Sequence, residues 1–124
     1  MEGGEYKMFK NLAAILLALS LMIGSFALPD TADAASVSAS YSGSFSKAWS
    51  KSKTTGDKAG VLTYGYNTLF INEDFSHGYH AKKAHYASVS NGRGSFTSGN
   101  VKKGKTAKIE VRHSGSTVRY SMVY

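Results

Sequence analysis

Apolar and polar positions alternate most cleanly near the end of the chain. Ala107, Ile109 and Val111 are interleaved with Lys108, Glu110 and Arg112. After His113-Ser114-Gly115-Ser116, the residues Val118, Tyr120, Met122 and Tyr124 are interleaved with Thr117, Arg119, Ser121 and Val123. Period two sends alternate side chains to opposite faces, so these runs predict a β-hairpin with one apolar side. Tyr86 to Ser90 repeats the pattern, with Ala87 and Val89 on one face. Asn91-Gly92 then signals a hairpin turn, with a returning strand around Phe96. Val61 to Phe70 is rich in β-branched and aromatic residues and broken by Gly65, which predicts one or two strands. Asn72-Glu73-Asp74 reads as a turn, and Asn100 to Lys105 as a basic, glycine-bearing turn. The expected fold is all-β: a small antiparallel β-sandwich of two short sheets.

The first third is different. Lys7 and Lys10 precede a run of 17 positions, Leu12 to Leu28, that is almost entirely apolar, followed by Pro29 and Ala32-Asp33-Ala34. A cationic start, an apolar middle and small residues two apart predict a cleavable secretory signal peptide over residues 1–34. The run is shorter than the ~20 residues a spanning helix prefers, so no stable transmembrane insertion is expected after cleavage. Glu2 and Glu5 oppose the cationic rule, and Met8 makes a more ordinary start. The expected location is therefore secreted.

Beyond the leader, serine fills every even position from Ser36 to Ser46, with Val37, Ala39, Tyr41, Gly43 and Phe45 between. Two readings stay open here: a half-buried strand with serines outward, or a flexible serine-rich tail. Lys47 to Lys58 reads as a basic linker holding one large anchor, Trp49. Residues 35–58 thus form a Ser/Lys-rich segment ahead of a compact domain at 59–124.

Charge narrows the partners. Residues 35–124 hold 13 Lys and Arg and four acids, Asp57, Glu73, Asp74 and Glu110, so 13 minus 4 gives a formal +9. On an exported protein this excess points to an anionic envelope surface rather than nucleic acid. The chain has no cysteine, which excludes disulfide staples, a cysteine nucleophile and thiolate metal sites.

Three of the four histidines fall in His77-Gly78-Tyr79-His80-Ala81-Lys82-Lys83-Ala84-His85. The spacing is not that of a helical metalloprotease, Lys82 and Lys83 would repel a dication, and a strand would send His80 and His85 to opposite faces. No metal or other cofactor is expected; the plain reading is polar surface residues flanking a turn. Glu73 and Asp74 read as solvated turn neighbours, and no Gly-x-Ser-x-Gly elbow is present. No catalytic residue is assigned, and the chain is not expected to be an enzyme. The mixture of cations and rings suits a phosphate gripped by charge while rings pack on sugar or lipid. The candidate ligand contacts are Tyr79, His80, Lys82, Lys83, His85 and Arg93.

The stretch Phe75-Ser76-His77-Gly78-Tyr79-His80-Ala81-Lys82-Lys83-Ala84-His85-Tyr86-Ala87-Ser88-Val89 resembles a segment typical of the lactococcin 972 bacteriocin family. Gly60-Val61-Leu62-Thr63-Tyr64-Gly65 is similar to that family's Gly-x-Trp-x-(Tyr or His)-Gly opening, with Leu62 in the tryptophan place. Asn91-Gly92-Arg93-Gly94 falls at its Asn- and Gly-rich turn, and Thr106 takes a second place where tryptophan is common. The resemblance implies a secreted antibacterial β-sandwich acting on the envelope of related bacteria, with a cell-wall precursor such as lipid II as partner. His80 and His85 are the contacts it carries over; the lysines and Arg93 are chosen for their charge. The other expectation is a non-toxic cationic accessory protein held to anionic wall polymers.

Overall fold

A computed structural model of the chain describes residues 34–124. The leader and start-site expectations concern residues outside this range. Eight strands follow one another: β1 (Ser36–Ser42), β2 (Trp49–Thr54), β3 (Gly60–Asn67), β4 (Glu73–His80), β5 (Tyr86–Asn91), β6 (Gly94–Thr97), β7 (Thr106–Arg112) and β8 (Thr117–Val123). They form two four-stranded sheets, β1-β8-β5-β6 and β2-β3-β4-β7, with every pairing antiparallel. The all-β, two-sheet expectation is met.

The serine alternation resolves as a strand. In β1, Val37 is buried while Ser36, Ser38, Ser40 and Ser42 are exposed, and the strand runs antiparallel to β8 with Ser42 opposite Thr117. The linker expected at Lys47 to Lys58 is corrected: Trp49–Thr54 is the edge strand β2, paired with β3 from Trp49↔Tyr66 to Thr54↔Val61. Lys51 and Lys53 stay in solvent because β2 is an edge, and the Lys53 ammonium donates across to the Ser38 carbonyl at 2.8 Å. Lysine on an edge strand also discourages pairing with a further chain.

The core lies between the sheets. Leu62, Tyr64, Val89, Val111, Val118, Tyr120 and Met122 are buried there, with Trp49 and Phe96 packed against them. Trp49, Tyr64 and Tyr120 meet at ring-centroid distances of 5.1 to 6.0 Å, within the range where aromatic pairs attract. Gly65 is required by close approach, because a Cβ there would collide with the Trp49 carbonyl oxygen on β2.

The sandwich has two ends, and the strand directions decide which loops share each. One end gathers the β2–β3 turn, the β4–β5 loop, the β6–β7 loop, and the backbones of Ala35 and Tyr124, which hydrogen-bond reciprocally at 3.0 and 2.8 Å. The opposite end gathers the β1–β2 loop, the β3–β4 loop, the β5–β6 turn and the β7–β8 turn.

Candidate functional site

Among the described residues the first end carries six lysines, Lys58, Lys82, Lys83, Lys102, Lys103 and Lys105, all exposed, against one acidic side chain, Asp57. Two buried histidines hold their three loops together. His80 closes β4 opposite Gly60 and is 0% exposed. Its Nδ1 accepts the backbone N–H of Lys82 at 3.1 Å and of Lys83 at 3.0 Å. A nitrogen that accepts two N–H groups carries no proton, so Nε2 is the donor, and it reaches Asp57 Oδ2 at 2.9 Å. The His80 carbonyl accepts from Gly104 at 2.8 Å, and Tyr124 stacks on the imidazole at 4.8 Å. One residue thus ties the β2–β3 turn, the β4–β5 loop and the β6–β7 loop.

His85 is 0% exposed and sits just before β5, bridged by backbone hydrogen bonds to Val101 in both directions. Its Nδ1 faces the Lys83 carbonyl at 2.9 Å, and its Nε2 faces the carbonyls of Gly78 at 3.0 Å and Lys105 at 2.8 Å. Carbonyl oxygens only accept, so both nitrogens must donate for all three contacts to be hydrogen bonds. The Lys83 and Lys105 backbones are fastened to the same ring.

These positions correct several expectations. His80 and His85 are not surface residues flanking a turn, and their rings do not point apart: they leave different strands and meet 6.3 Å apart in the interior. Every polar atom of both rings faces protein, so they position the loops rather than touch a ligand. Lys82 and Lys83 are exposed on the β4–β5 loop, and Tyr79, 39% exposed, faces outward from the end of β4. Arg93 does not join them. It lies on the β5–β6 turn, the length of β5 away from His85, which at ~3.3 Å per residue is roughly 20 Å. In its place stand Lys58, Lys102, Lys103 and Lys105. The signal of Lys102, Lys103 and Lys105, a glycine-bearing basic turn, is visible in the sequence; their meeting with Lys58, Lys82 and Lys83 is not.

Among the described residues Asp57 is the one acidic side chain of this end, and it is committed elsewhere. The Thr55 hydroxyl donates to it at 2.6 Å and the Ala59 N–H at 3.0 Å, and His80 completes the set. The Thr55 hydrogen bond first, then that of Ala59, then His80 hold its carboxyl well below the usual aspartate range. Because the folded value is depressed, the turn gains stability that is complete above the unfolded aspartate value near ~3.9 and is lost only as pH falls towards the folded value. Carbon-detected NMR should find Asp57 still ionised at about pH 3, where an ordinary aspartate is mostly protonated. Next to His85, burial pushes the Tyr86 phenol up to about 12, so it is a neutral hydroxyl at ordinary pH.

Among the described residues, the ion pairs join histidines to acids (His77–Glu110, His80–Asp57 and His113–Asp74), and none involves a lysine of this end. Six ammonium groups with no carboxylate partner among the described residues, on three loops fixed by a hydrogen-bonded base, concentrate anions in front of them. Lysine is a flexible point charge rather than a planar fork, which suits many phosphate geometries better than a single one. Among the described residues no group of three or more His, Asp or Glu side chains could hold a metal ion. No family model matches this chain, and no curated protein or solved structure is significantly similar to it.

Proposed function

We propose that this is a secreted, bacteriocin-like antibacterial protein that acts on the cell envelope of related bacteria by binding a phosphate-bearing component such as lipid II. The observation that carries this reading is the six-lysine end, built from three loops fastened to His80 and His85. The sequence resemblance to the lactococcin 972 family and the cationic composition support it. The contact residues are then Lys82, Lys83, Lys102, Lys103 and Lys105, with Tyr79 at the margin, and the two histidines act from beneath. Binding is by charge and needs no chemistry at a reactive side chain.

A second reading follows from the same lysines. Flexible point charges also suit a repetitive polyanion, which favours an accessory protein held to anionic wall polymers. Retention of the purified protein on anionic vesicles with and without lipid II, at physiological salt, separates the two. Dependence on lipid II supports the antibacterial reading; equal retention that falls as salt rises supports the accessory one. In either case Lys82→Gln with Lys83→Gln should weaken retention roughly 30-fold, from about 1 kcal/mol per lysine near an anionic surface. Retention at the unaltered level would remove the β4–β5 loop from the contact.

A further inference from the structure

The opposite end carries a different chemistry. Between β3 and β4 the chain turns over residues 68–72, and three consecutive apolar side chains stand in solvent: Leu69 78% exposed, Phe70 91% and Ile71 39%. Soluble domains expose single apolar residues freely, but three together on a projecting turn call for a partner. The core does not account for them, because the strands they join are already registered up to Asn67↔Glu73 beneath the loop.

The loop stands on a fixed base. The His113 N–H donates to the Asn72 carbonyl at 2.8 Å, tying the loop to the β7–β8 turn. His113 in turn donates from Nδ1 to the buried Asp74 carboxylate at 2.9 Å, and Asn91 donates to the same carboxylate at 2.8 Å. Phe45 and Tyr66 pack on the His113 ring at 4.1 and 5.2 Å. The apolar turn is therefore held out from the body by hydrogen bonds and rings. Around it the same end presents Lys47 on the β1–β2 loop, Arg93 on the β5–β6 turn and Arg112 at the close of β7, all exposed, against the half-buried Glu73 at the foot of the loop opposite Arg112.

From this arrangement we infer that Leu69, Phe70 and Ile71 insert into a lipid surface, with Lys47, Arg93 and Arg112 facing its anionic headgroups. A convex tip with a basic rim has the shape and charge for a bilayer interface, where binding grows with buried apolar area and with attraction to anionic lipid. A second copy of the chain is the poorer occupant. Three side chains bury a few hundred Å² at most on each copy, roughly half of the ~800 Å² per partner that a stable protein interface takes. The inference does not depend on what the lysine end binds. The two surfaces are separated by the strand length, roughly 25 Å, several times the ~8 Å screening length of physiological salt.

The test uses vesicles of phosphatidylcholine with about a quarter phosphatidylglycerol and no lipid II, a composition that supplies the headgroup charge. Leu69→Ser with Phe70→Ser should reduce partitioning at least ten-fold, on the apolar area removed, with unchanged far-ultraviolet circular dichroism. The chain has no cysteine, so Thr68→Cys offers a unique labelling position beside the tip that leaves Leu69, Phe70 and Ile71 in place. An environment-sensitive dye there should shift to the blue and be quenched by spin-labelled lipid, while the same dye at Ser40→Cys, exposed midway along β1, should do neither. Partitioning of the double-serine variant at the unaltered level overturns the inference, as does a dye at Thr68→Cys that stays in water. Vesicle-independent self-association that the serine variant abolishes, with no shift of the dye, assigns the tip to a second copy and also overturns it. If the tip fails these tests while Lys82→Gln with Lys83→Gln still weakens retention on lipid II vesicles, the reading of the lysine end stands alone.

Discussion

Replacing His85 by phenylalanine is expected to cost about 4 kcal/mol, a large part of the total stability of a domain this size. The ring volume is nearly preserved, so the loss is one of hydrogen bonding. Phenylalanine leaves the carbonyls of Gly78, Lys83 and Lys105 facing a hydrocarbon edge in a site with no solvent exposure. Each buried acceptor left unpaired costs roughly 1–3 kcal/mol, and partial relaxation of the loops recovers some of that sum. Urea unfolding followed by the fluorescence of Trp49, the chain's single tryptophan, measures the change. A loss below about 1 kcal/mol would mean that the three carbonyls find other donors. The variant also separates stability from binding. If it is held folded at low temperature, its β4–β5 and β6–β7 loops should exchange amide hydrogens faster, because both lysine loops are fastened to this ring.

Asp74→Ala should have an effect of similar size, about 3–5 kcal/mol, at the other end of the sandwich. Asp74 is 0% exposed and takes hydrogen bonds from His113 and Asn91, and Asn91 also donates to the Arg112 carbonyl at 3.0 Å. Alanine strands both donors and opens a void beneath Tyr66, which lies opposite on β3. Asp74→Asn keeps the shape and one acceptor, and should cost less than half as much. Combined with His113→Ala, the Asp74→Ala loss should be clearly smaller than the sum of the two single losses, since one removal already breaks the shared contact. Full additivity would show that the two side chains stabilise the fold independently.

The strands that face the core with apolar residues were legible in the sequence, and β4 was not. In β8 the inward positions are Val118, Tyr120 and Met122, and in β7 they are Ala107, Ile109 and Val111, so period two points the right way. In β4 the pattern is inverted. Its inward positions are Asp74, Ser76, Gly78 and His80, all buried and polar or small, while Phe75, His77 and Tyr79 lie on the other face, where Phe75 is covered beside His77. Gly78 is small there because Met122 lies directly over it, and Ser76 donates to the Ser88 carbonyl on the facing sheet at 2.8 Å. A strand whose interior face is a row of hydrogen bonds has no hydrophobic signature. The same inversion made Asp74 look like a solvated turn and His80 like a surface residue.

The candidate site was half legible for a related reason. Composition gave its charge, and the run from Tyr79 to His85 gave one of its three loops. The other two, around Lys58 and from Lys102 to Lys105, lie more than 15 residues away along the chain and join through the His80 and His85 rings and through backbone contacts, a meeting that the spacing of residue types along the chain does not show. Arg93 shares the charge of this run and follows it closely in sequence. One intervening strand carries it to the far end.

The reciprocal pairing of Ala35 and Tyr124 bears on how the protein can be handled. Both residues sit among the lysines, so an affinity tag or reporter fused at either flank of this domain emerges beside Lys82 and Lys83. An acidic tag there would neutralise the very surface under study and imitate a loss of binding. A bulky one would shield it while leaving Leu69 and Phe70 untouched. A handle grafted into the exposed β1–β2 loop avoids the lysines but crowds the apolar turn, so any single fusion site biases one end of the molecule.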